Sequence, residues 1–211
     1  MTAPVTAPAG RLSAMTEPEV KADLHRYLRE AREAVLWKLD GLSDYDLRRP
    51  LTPTGTNLLG LVKHLGGIET GYFGDTFGRP FGEPLPAGFE DDAEPNAEFW
   101  ATAAETSEQI TGFYRRACAH ADVAISSLAL DAPGHVPWWG SQGDVTLLRI
   151  LVHVTAETSR HAGHADIVRE LIDGTAGLQP GSDNLPPSDQ SWRQRHRDRL
   201  ERLAQESTTP S

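Results

Sequence analysis

The sequence predicts an all-α protein built as a four-helix bundle. Long stretches carry apolar residues at steps of three and four, and no stretch alternates with the period of two that marks a half-buried strand. Pro- and Gly-rich runs separate these apolar blocks, as loops separate long helices. A chain of 211 residues without internal repeats can form one sizeable core. We therefore expect one bundle with long crossover loops and a short C-terminal helix.

The first predicted helix follows a leader that lacks periodic apolar residues. Residues 1–15 are rich in Ala, Pro and Thr, so we expect them to be disordered. Thr16 can cap a helix that begins near Pro18, and Gly41 ends its apolar run. The bundle is expected over residues 16–175. Residues 176–211 are expected to form a linker and a C-terminal helix or tail, with Ser188 or Asp189 as the N-cap.

The second long helix is predicted within the segment LLGLVKHLGGIETGYF, after an N-cap at Thr54 or Thr56. Each glycine inside it weakens a helix by up to about 1 kcal/mol relative to alanine. The glycines are Gly60, Gly66, Gly67 and Gly71. We therefore expect neighbouring elements to pack closely against this helix.

Two long connections precede the third and fourth helices. The segment GRPFGEPLPAGFEDDAEP suits a crossover, and a third helix is predicted from about Asn96 to about Ser126, with Phe99 in its apolar stripe. The loop DAPGHVPWWGSQGD then leads to Asp144, the predicted N-cap of a fourth helix that ends at Gly174.

Charge and cysteine content exclude several classes of function. The net charge is -10, and the only basic cluster, RQRHRDRLER, is mixed with acids, so we expect no nucleic-acid partner. No apolar run approaches the ~20 residues that span a bilayer, so we expect no membrane partner. Cys118 is the only cysteine, which excludes an internal disulfide and a multi-cysteine metal site. We interpret it as a core residue, and we expect a cytoplasmic protein because no secretory signal is apparent.

The stretch HVTAETSRHAGH, from His153 to His164, is the densest group of potential metal ligands. Glu157 and His161 are one helical turn apart on the same face, so both can bind one divalent cation. His64 is the best candidate for a third ligand, because an imidazole in the middle of an apolar helix needs a partner. His153 and His164 are candidate catalytic residues that flank this pair.

Other interpretations stay open for these residues. A single histidine on an apolar helix is more often a core residue with a satisfied hydrogen bond than a metal ligand. Trp138 and Trp139 can contact an apolar or ring substrate, but they can equally anchor the long loop against the bundle. Arg160 can meet an anionic group of a substrate, as can His135 and Arg149.

The segments LVKHLGGIETGYF and LVHVTAETSRHAGHADIVRELIDG resemble the DinB-like four-helix superfamily, in its actinobacterial "mini-circle protein" branch, and the resemblance covers about residues 17–174. It implies a divalent metal, zinc or else nickel, bound by His64, Glu157 and His161. An acidic middle ligand is the variant found in the mycothiol-dependent maleylpyruvate isomerase type. The resemblance also implies chemistry with a low-molecular-weight thiol, as in the bacillithiol S-transferase type, and a homodimer, since such bundles commonly dimerise.

Three protein ligands leave a coordination position open, which is typical of a catalytic metal. We therefore expect a metal-dependent enzyme that acts on a small-molecule substrate, either a thiol S-transferase or a thiol-dependent isomerase. A composition rich in Ala, Gly, Pro and Arg fits an actinobacterial source and hence mycothiol as the thiol. Two alternatives remain: a metal-assisted hydrolase in which His153 or His164 transfers a proton, and a stress-linked metal-binding or interaction protein without turnover.

Overall fold

Four long helices form the bundle in a computed structural model, which describes residues 15–182 and 189–207. The helices are, in chain order, α1 (Glu17–Trp37), α2 (Asp44–Arg48), α3 (Leu58–Glu69), α4 (Ser107–Ser127), α5 (Leu147–Asp173) and α6 (Gln190–Glu206). Helix α1 packs along α5, while α3 packs along α4 and also contacts α5. The prediction of an all-α fold is confirmed. None of the helices in these two ranges combines the length and apolar character that crossing a membrane requires.

Two clusters of buried apolar side chains fill the bundle. One contains Leu28, Phe73 and Leu151, and the other contains Val62 and Tyr114. Each fully buried aliphatic side chain contributes about 1.5–3 kcal/mol relative to an exposed one. The two clusters therefore fix α3 and α5 side by side, and these are the helices on which the candidate ligands lie.

A buried ion pair also ties three of the helices together. The Arg32 guanidinium of α1 donates to both carboxylate oxygens of Glu69 in α3, at 2.7 and 2.6 Å, and to Asp122 of α4 at 2.6 Å. Arg32 and Glu69 are both buried. Burial raises the pKa of Glu69, and the adjacent guanidinium opposes that effect. The bidentate geometry fixes how α1 and α3 lie against each other.

Several predicted helix ends are confirmed. The Thr16 backbone N–H donates to Glu19 at 2.8 Å in a capping box, and Gly174 ends α5 with a left-handed φ of 80°. Asp189 caps α6 by accepting from the N–H of Trp192 at 2.7 Å. The alternative cap, Ser188, and the predicted leader up to residue 14 lie outside the described residues.

Two predicted N-caps are wrong by a few residues. Helix α3 is capped by Asn57, not by Thr54 or Thr56, and the Asn57 side chain accepts from the N–H of Gly60 at 2.7 Å. Helix α5 is capped by Thr146 instead of Asp144. In both cases the residue next to the first helical turn supplies the oxygen that its free N–H groups need.

The predicted start of the third long helix, near Asn96, is also wrong. Helix α4 begins at Ser107, because Thr106 and Gln109 form a capping box, with Thr106 N–H donating to Gln109 at 2.8 Å. Upstream, Ala97–Phe99 is a single 3₁₀ turn and Trp100 is extended. The apolar residues before Ser107 therefore belong to a loop that covers α3, and not to the stripe of α4.

A small antiparallel sheet interrupts the helical fold between α4 and α5. Strand β1 (Pro133–His135) pairs with β2 (Asp144–Thr146), and they are joined by 3₁₀ structure over Pro137–Gln142 that is kinked at Gly140. Strands of three residues are too short to show an alternating pattern, so periodicity did not indicate them. The sheet holds the loop that carries the two adjacent tryptophans at the end of the bundle.

The expectation of close packing around α3 is confirmed at its glycines. A Cβ on Gly60 would lie 1.7 Å from the carbonyl oxygen of Phe99. A Cβ on Gly67 would lie 2.1 Å from the ring of Phe89. The helix then continues as a π-helical turn over Thr70–Gly74. By contrast, no residue of α6 is buried.

Candidate metal centre

Three candidate ligands from two helices converge in the structure. His64 projects from α3, and Glu157 and His161 project from α5. One potential ligand atom from each residue lies within 4.8 Å of the other two. The Glu157 Oε1 atom is 3.0 Å from His161 Nε2 and 3.8 Å from His64 Nε2. The spacing predicted from the sequence therefore brings the three side chains to one point.

The arrangement fits a divalent cation. Bonds of about 2.1 Å to a tetrahedral zinc would place two ligand atoms about 3.4 Å apart, which lies between the two distances of 3.0 and 3.8 Å from Glu157 Oε1 to the histidine nitrogens. His64 Nε2 is buried and has no hydrogen-bond partner in the part of the chain that the structure describes. An orphaned buried nitrogen of this kind is costly unless something else binds it. Two histidines and one glutamate are also a ligand set of catalytic zinc.

Burial favours the uncharged form of both histidines. It lowers the pKa of His64 to about 4, with repulsion from His161 as the second cause and attraction to Glu157 opposing both. Burial is also the main cause that lowers the pKa of His161. Neutral imidazoles have a free lone pair, so neither ring has to lose a proton before it binds a cation at pH 7.

Neighbouring side chains hold the two imidazole rings in place. The ring of Phe99 stacks on His64 with 4.0 Å between centroids, and Glu98 Oε1 is 3.9 Å from His64 Nδ1. On the other ring, His164 Nδ1 lies 3.3 Å from His161 Nδ1, within hydrogen-bonding distance. Partners on the far nitrogen of a histidine fix its tautomer and orientation when the other nitrogen binds a metal.

The loop segment that carries Phe99 is anchored firmly to α3. The Asn57 amide donates to the Phe99 carbonyl at 3.2 Å. The ammonium of Lys63, which is fully buried, donates to the Trp100 carbonyl at 2.8 Å and pairs with Glu105 at 3.2 Å. A buried charge is tolerated only when it is paired in this way. The wall beside His64 is therefore part of the folded core.

A cleft of about 490 Å³ opens beside the three converging residues. We call it the polar cleft, and it is lined by Thr54, Gly55, Thr56, Asn57, Leu61, Pro95, Asn96, Phe99, Trp100, His161 and His164. Its volume lies in the usual range for sites that bind small molecules. Of the three converging residues, His161 lines the cleft, and its neighbour His164 does so too.

An aromatic group lies further along α5, towards its N-terminal end. It consists of Tyr72, Trp138, Trp139 and His153. The hydroxyl of Tyr72 accepts from the indole N–H groups of Trp138 and Trp139 at 3.3 and 3.2 Å. The ring of His153 lies 4.8 Å from those of Tyr72 and Trp139. His153 thus contacts the tryptophan loop, and burial lowers its pKa.

The remaining candidates belong neither to the three converging residues nor to the aromatic group, although Arg149 contacts the latter. Arg160 is exposed and makes no hydrogen bond or ion pair with any described residue, although its charge helps to lower the pKa of His161. His135 pairs with Asp144 at 2.9 Å, and the Arg149 guanidinium lies over the ring of Trp139. Burial raises the pKa of the Cys118 thiol, which agrees with its interpretation as a core residue.

Four residues of the site were not predicted from the sequence, namely Tyr72, Phe99, Glu98 and Lys63. Periodicity alone assigns Phe99 to the third long helix. The capping-box pattern of Thr106 and Gln109 indicates instead that this helix begins after Thr106, which places Phe99 in the preceding loop. A lysine inside the apolar run LLGLVKHL would have indicated a buried ion pair. No local pattern indicated that Tyr72 meets the tryptophans, since that contact spans 66 residues of chain.

Comparison with known proteins assigns the family. No curated protein was found to match the chain. A family model described as mycothiol-S-transferase matches residues 23–174, which include α3, α4 and α5 and hence all three converging residues. The match covers most of the chain and agrees with the resemblance to the DinB-like superfamily. The chain belongs to the mycothiol S-transferase family of DinB-like four-helix proteins.

Proposed function

We propose that this chain is a metal-dependent thiol S-transferase or thiol-dependent isomerase that uses mycothiol. In this proposal His64, Glu157 and His161 hold a divalent cation, with zinc favoured over nickel. The main support is their convergence within 4.8 Å around a buried His64 nitrogen that lacks a partner among the described residues. The family match supports the choice of thiol. We further propose that residues 16–175 form the active unit; homodimer formation and cytoplasmic location stay predictions.

The proposed chemistry needs a thiolate close to an electrophile. His64, Glu157 and His161 would hold the cation, which would supply a positive charge that favours the thiolate form of a thiol at neutral pH. A bond then forms between the sulfur and an electrophilic carbon. In transfer, the bond to the leaving group breaks and the leaving group departs with its electron pair. In isomerisation, a carbon–carbon double bond opens as the sulfur adds, and it re-forms when the sulfur is expelled after rotation about the resulting single bond.

The protein side chains orient the ligands and move the proton. His164 holds His161 through its Nδ1 contact, and Phe99 fixes the plane of His64. Burial favours the neutral form of His153 and lowers its pKa, and we propose that the lone pair of this neutral imidazole accepts the thiol proton. His164 is the second candidate for that role.

The aromatic group supplies a surface for the electrophilic substrate. Trp138 is 58% exposed, so a large part of its ring is free to contact an apolar or ring compound. Trp139 and Tyr72 hold it in place through the shared hydroxyl. We assign Arg160 to an anionic group of that substrate, because its exposed guanidinium has no partner among the described residues.

The proposal is tested by metal analysis combined with a conjugation assay. The zinc-loaded full chain is incubated with mycothiol and 1-chloro-2,4-dinitrobenzene, and the conjugate and released chloride are measured. His64→Ala and His161→Ala should lose bound zinc and at least about 100-fold in rate. His196→Ala, on exposed α6, is the matched control and should retain both.

Two results would contradict the proposal. Zinc content unchanged in both ligand variants would remove the metal assignment. A zinc-loaded protein that forms no product dependent on mycothiol, with this or other electrophiles, would remove the transferase assignment, and ester hydrolysis by the same sample would favour the hydrolase alternative.

A further inference from the structure

Helix α5 presents apolar and small residues to solvent on the side opposite its buried residues. We call this set the outer stripe, and it consists of Leu148, Val152, Ala156, Gly163, Ile167 and Leu171. The four large side chains at its two ends are between 41% and 60% exposed. At its centre, a Cβ on Gly163 would meet no atom within 4 Å. A helix that is apolar on both sides is usually covered on both, so the outer stripe has the character of an interface.

The outer stripe has the same pattern in either direction along the helix. Its residues form three pairs that are equally far from the point between Ser159 and Arg160, namely Leu148 with Leu171, Val152 with Ile167, and Ala156 with Gly163. If two copies of α5 pack antiparallel about a two-fold axis at that point, each residue faces the other member of its pair. Large side chains then meet at both ends, and small ones meet at the centre, where they let the helices approach closely.

Two charged residues beside the outer stripe follow the same symmetry. Arg149 and Glu170 are both exposed and are also equally far from the central point. In the antiparallel arrangement, Arg149 of each copy therefore faces Glu170 of the other copy. In a parallel arrangement each residue would face its own equivalent, and like charges would repel. The charges thus favour a second copy of this chain in the antiparallel orientation.

Arg160 lies next to the central point, where two like charges come near each other. A helix turns about 100° per residue, which places Arg160 about 60° round from Gly163, at the edge of the outer stripe. Arg160 is exposed in one copy, and its long side chain can carry the guanidinium out to solvent. The centre of the contact is therefore left to Ala156 and Gly163.

We propose that the outer stripe is the interface of a two-fold symmetric homodimer in which the α5 helices of two copies pack antiparallel. This inference goes beyond the proposed function, because it assigns a surface and needs neither a metal nor a thiol. Glu157 and His161 project from another side of α5, so each copy keeps its own three converging residues. The predicted homodimer thereby gains a defined contact surface.

Two substitutions place a charge in the apolar part of the interface. Val152→Lys and Ile167→Lys alter side chains that are 52% and 59% exposed in one copy, so the core of each copy is preserved. Val123→Lys is the matched control, because Val123 is a valine on α4 that is 64% exposed and lies outside the outer stripe. Urea unfolding of the dilute proteins should show equal stability for all three variants.

Sedimentation velocity of the full chain, without added metal, measures the dissociation constant of the dimer between about 1 and 100 µM. We expect the wild type and Val123→Lys to dimerise equally. Val152→Lys and Ile167→Lys should each raise the dissociation constant at least about tenfold, since each change occurs twice in a symmetric interface.

An exchange of charges tests the antiparallel register. Arg149→Glu alone would place two carboxylates face to face, and Glu170→Arg alone would do the same with two guanidinium groups, so each should weaken the dimer about tenfold. The double variant restores opposite charges at both contacts, and its dissociation constant should return close to that of the wild type.

Three results would overturn this inference. The first is a wild type that stays monomeric at about 100 µM, and the second is a dimer that neither lysine variant weakens. The third is a double charge variant that dimerises no better than the two single variants. Because these measurements include neither metal nor mycothiol, failure of zinc binding or conjugation would remove the proposed function and leave the interface standing.

Discussion

Gly60→Ala tests whether the wall of the polar cleft is as closely packed against α3 as the structure shows. Inside a helix, this change alone would stabilise the protein by up to about 1 kcal/mol. The new Cβ, however, would lie 1.7 Å from the carbonyl oxygen of Phe99 and 2.4 Å from its carbonyl carbon. Both atoms belong to the backbone, so no change of rotamer relieves the overlap.

The magnitude follows from what must move. To reach ordinary contact, the loop must shift by more than about 1 Å, which strains the Asn57 bond to Phe99 at 3.2 Å and the Lys63 bond to Trp100 at 2.8 Å. Overpacking costs typically about 1–3 kcal/mol, and each weakened hydrogen bond costs roughly 1 kcal/mol more. After the helical gain is subtracted, we expect a net loss of about 2–4 kcal/mol.

Urea unfolding followed by circular dichroism measures the effect. Gly163→Ala is the matched control, because Gly163 lies inside α5 and a Cβ added there would meet no atom within 4 Å. This control should stabilise the protein by about 0.5–1 kcal/mol. In a thermal scan, Gly60→Ala should unfold roughly 4–16 °C below the wild type. Wild-type or greater stability of Gly60→Ala would refute the close contact between α3 and the loop.

Three further predictions concern buried groups. Glu69→Gln should destabilise the fold by about 3 kcal/mol, because it leaves the Arg32 charge buried and poorly paired. Replacing both residues by Met should destabilise the fold less. Equal urea midpoints for the wild type and Glu69→Gln would contradict the stabilising role of this ion pair. Burial lowers the pKa of His64 to about 4, so in metal-free protein the unfolded chain binds a proton at this residue before the folded protein does as pH falls. The free energy of unfolding should therefore decrease by up to about 3 kcal/mol between about pH 6.5 and 4, and it should decrease less in His64→Gln. Urea titrations of both proteins at pH 7 and 5 would reveal or exclude this difference. His164→Ala should weaken zinc affinity about 10- to 100-fold by freeing the His161 ring, and unchanged affinity in a chelator competition would count against that positioning role.

The long helices could be predicted from the sequence because their signals are local. Thr16 marks the start of α1 because its side chain can cap the first turn, and Gly174 marks the end of α5 because glycine readily adopts positive φ. Both effects act within one helical turn. The pair Glu157 and His161 was predictable for the same reason, since a helix sets their geometry. His64 was predicted as the third candidate ligand because an imidazole in an apolar run needs a partner.

The walls of the site were not predictable in the same way. Phe99 and Trp100 fit the apolar period of a helix. Because the capping box at Thr106 begins α4 only at Ser107, both residues belong to the preceding loop, which packs on α3. The polar cleft exists only because that loop folds back on Gly60. Such contacts depend on tertiary packing, which short-range periodicity does not encode.

The metal centre is tested most directly by anomalous diffraction from crystals of the zinc-loaded protein, recorded at the zinc absorption edge. We expect one strong peak about 2.0–2.2 Å from a ring nitrogen of His64, a ring nitrogen of His161 and a carboxylate oxygen of Glu157. Zinc bound elsewhere, with these three side chains uncoordinated in the same crystal, would contradict the proposed metal centre.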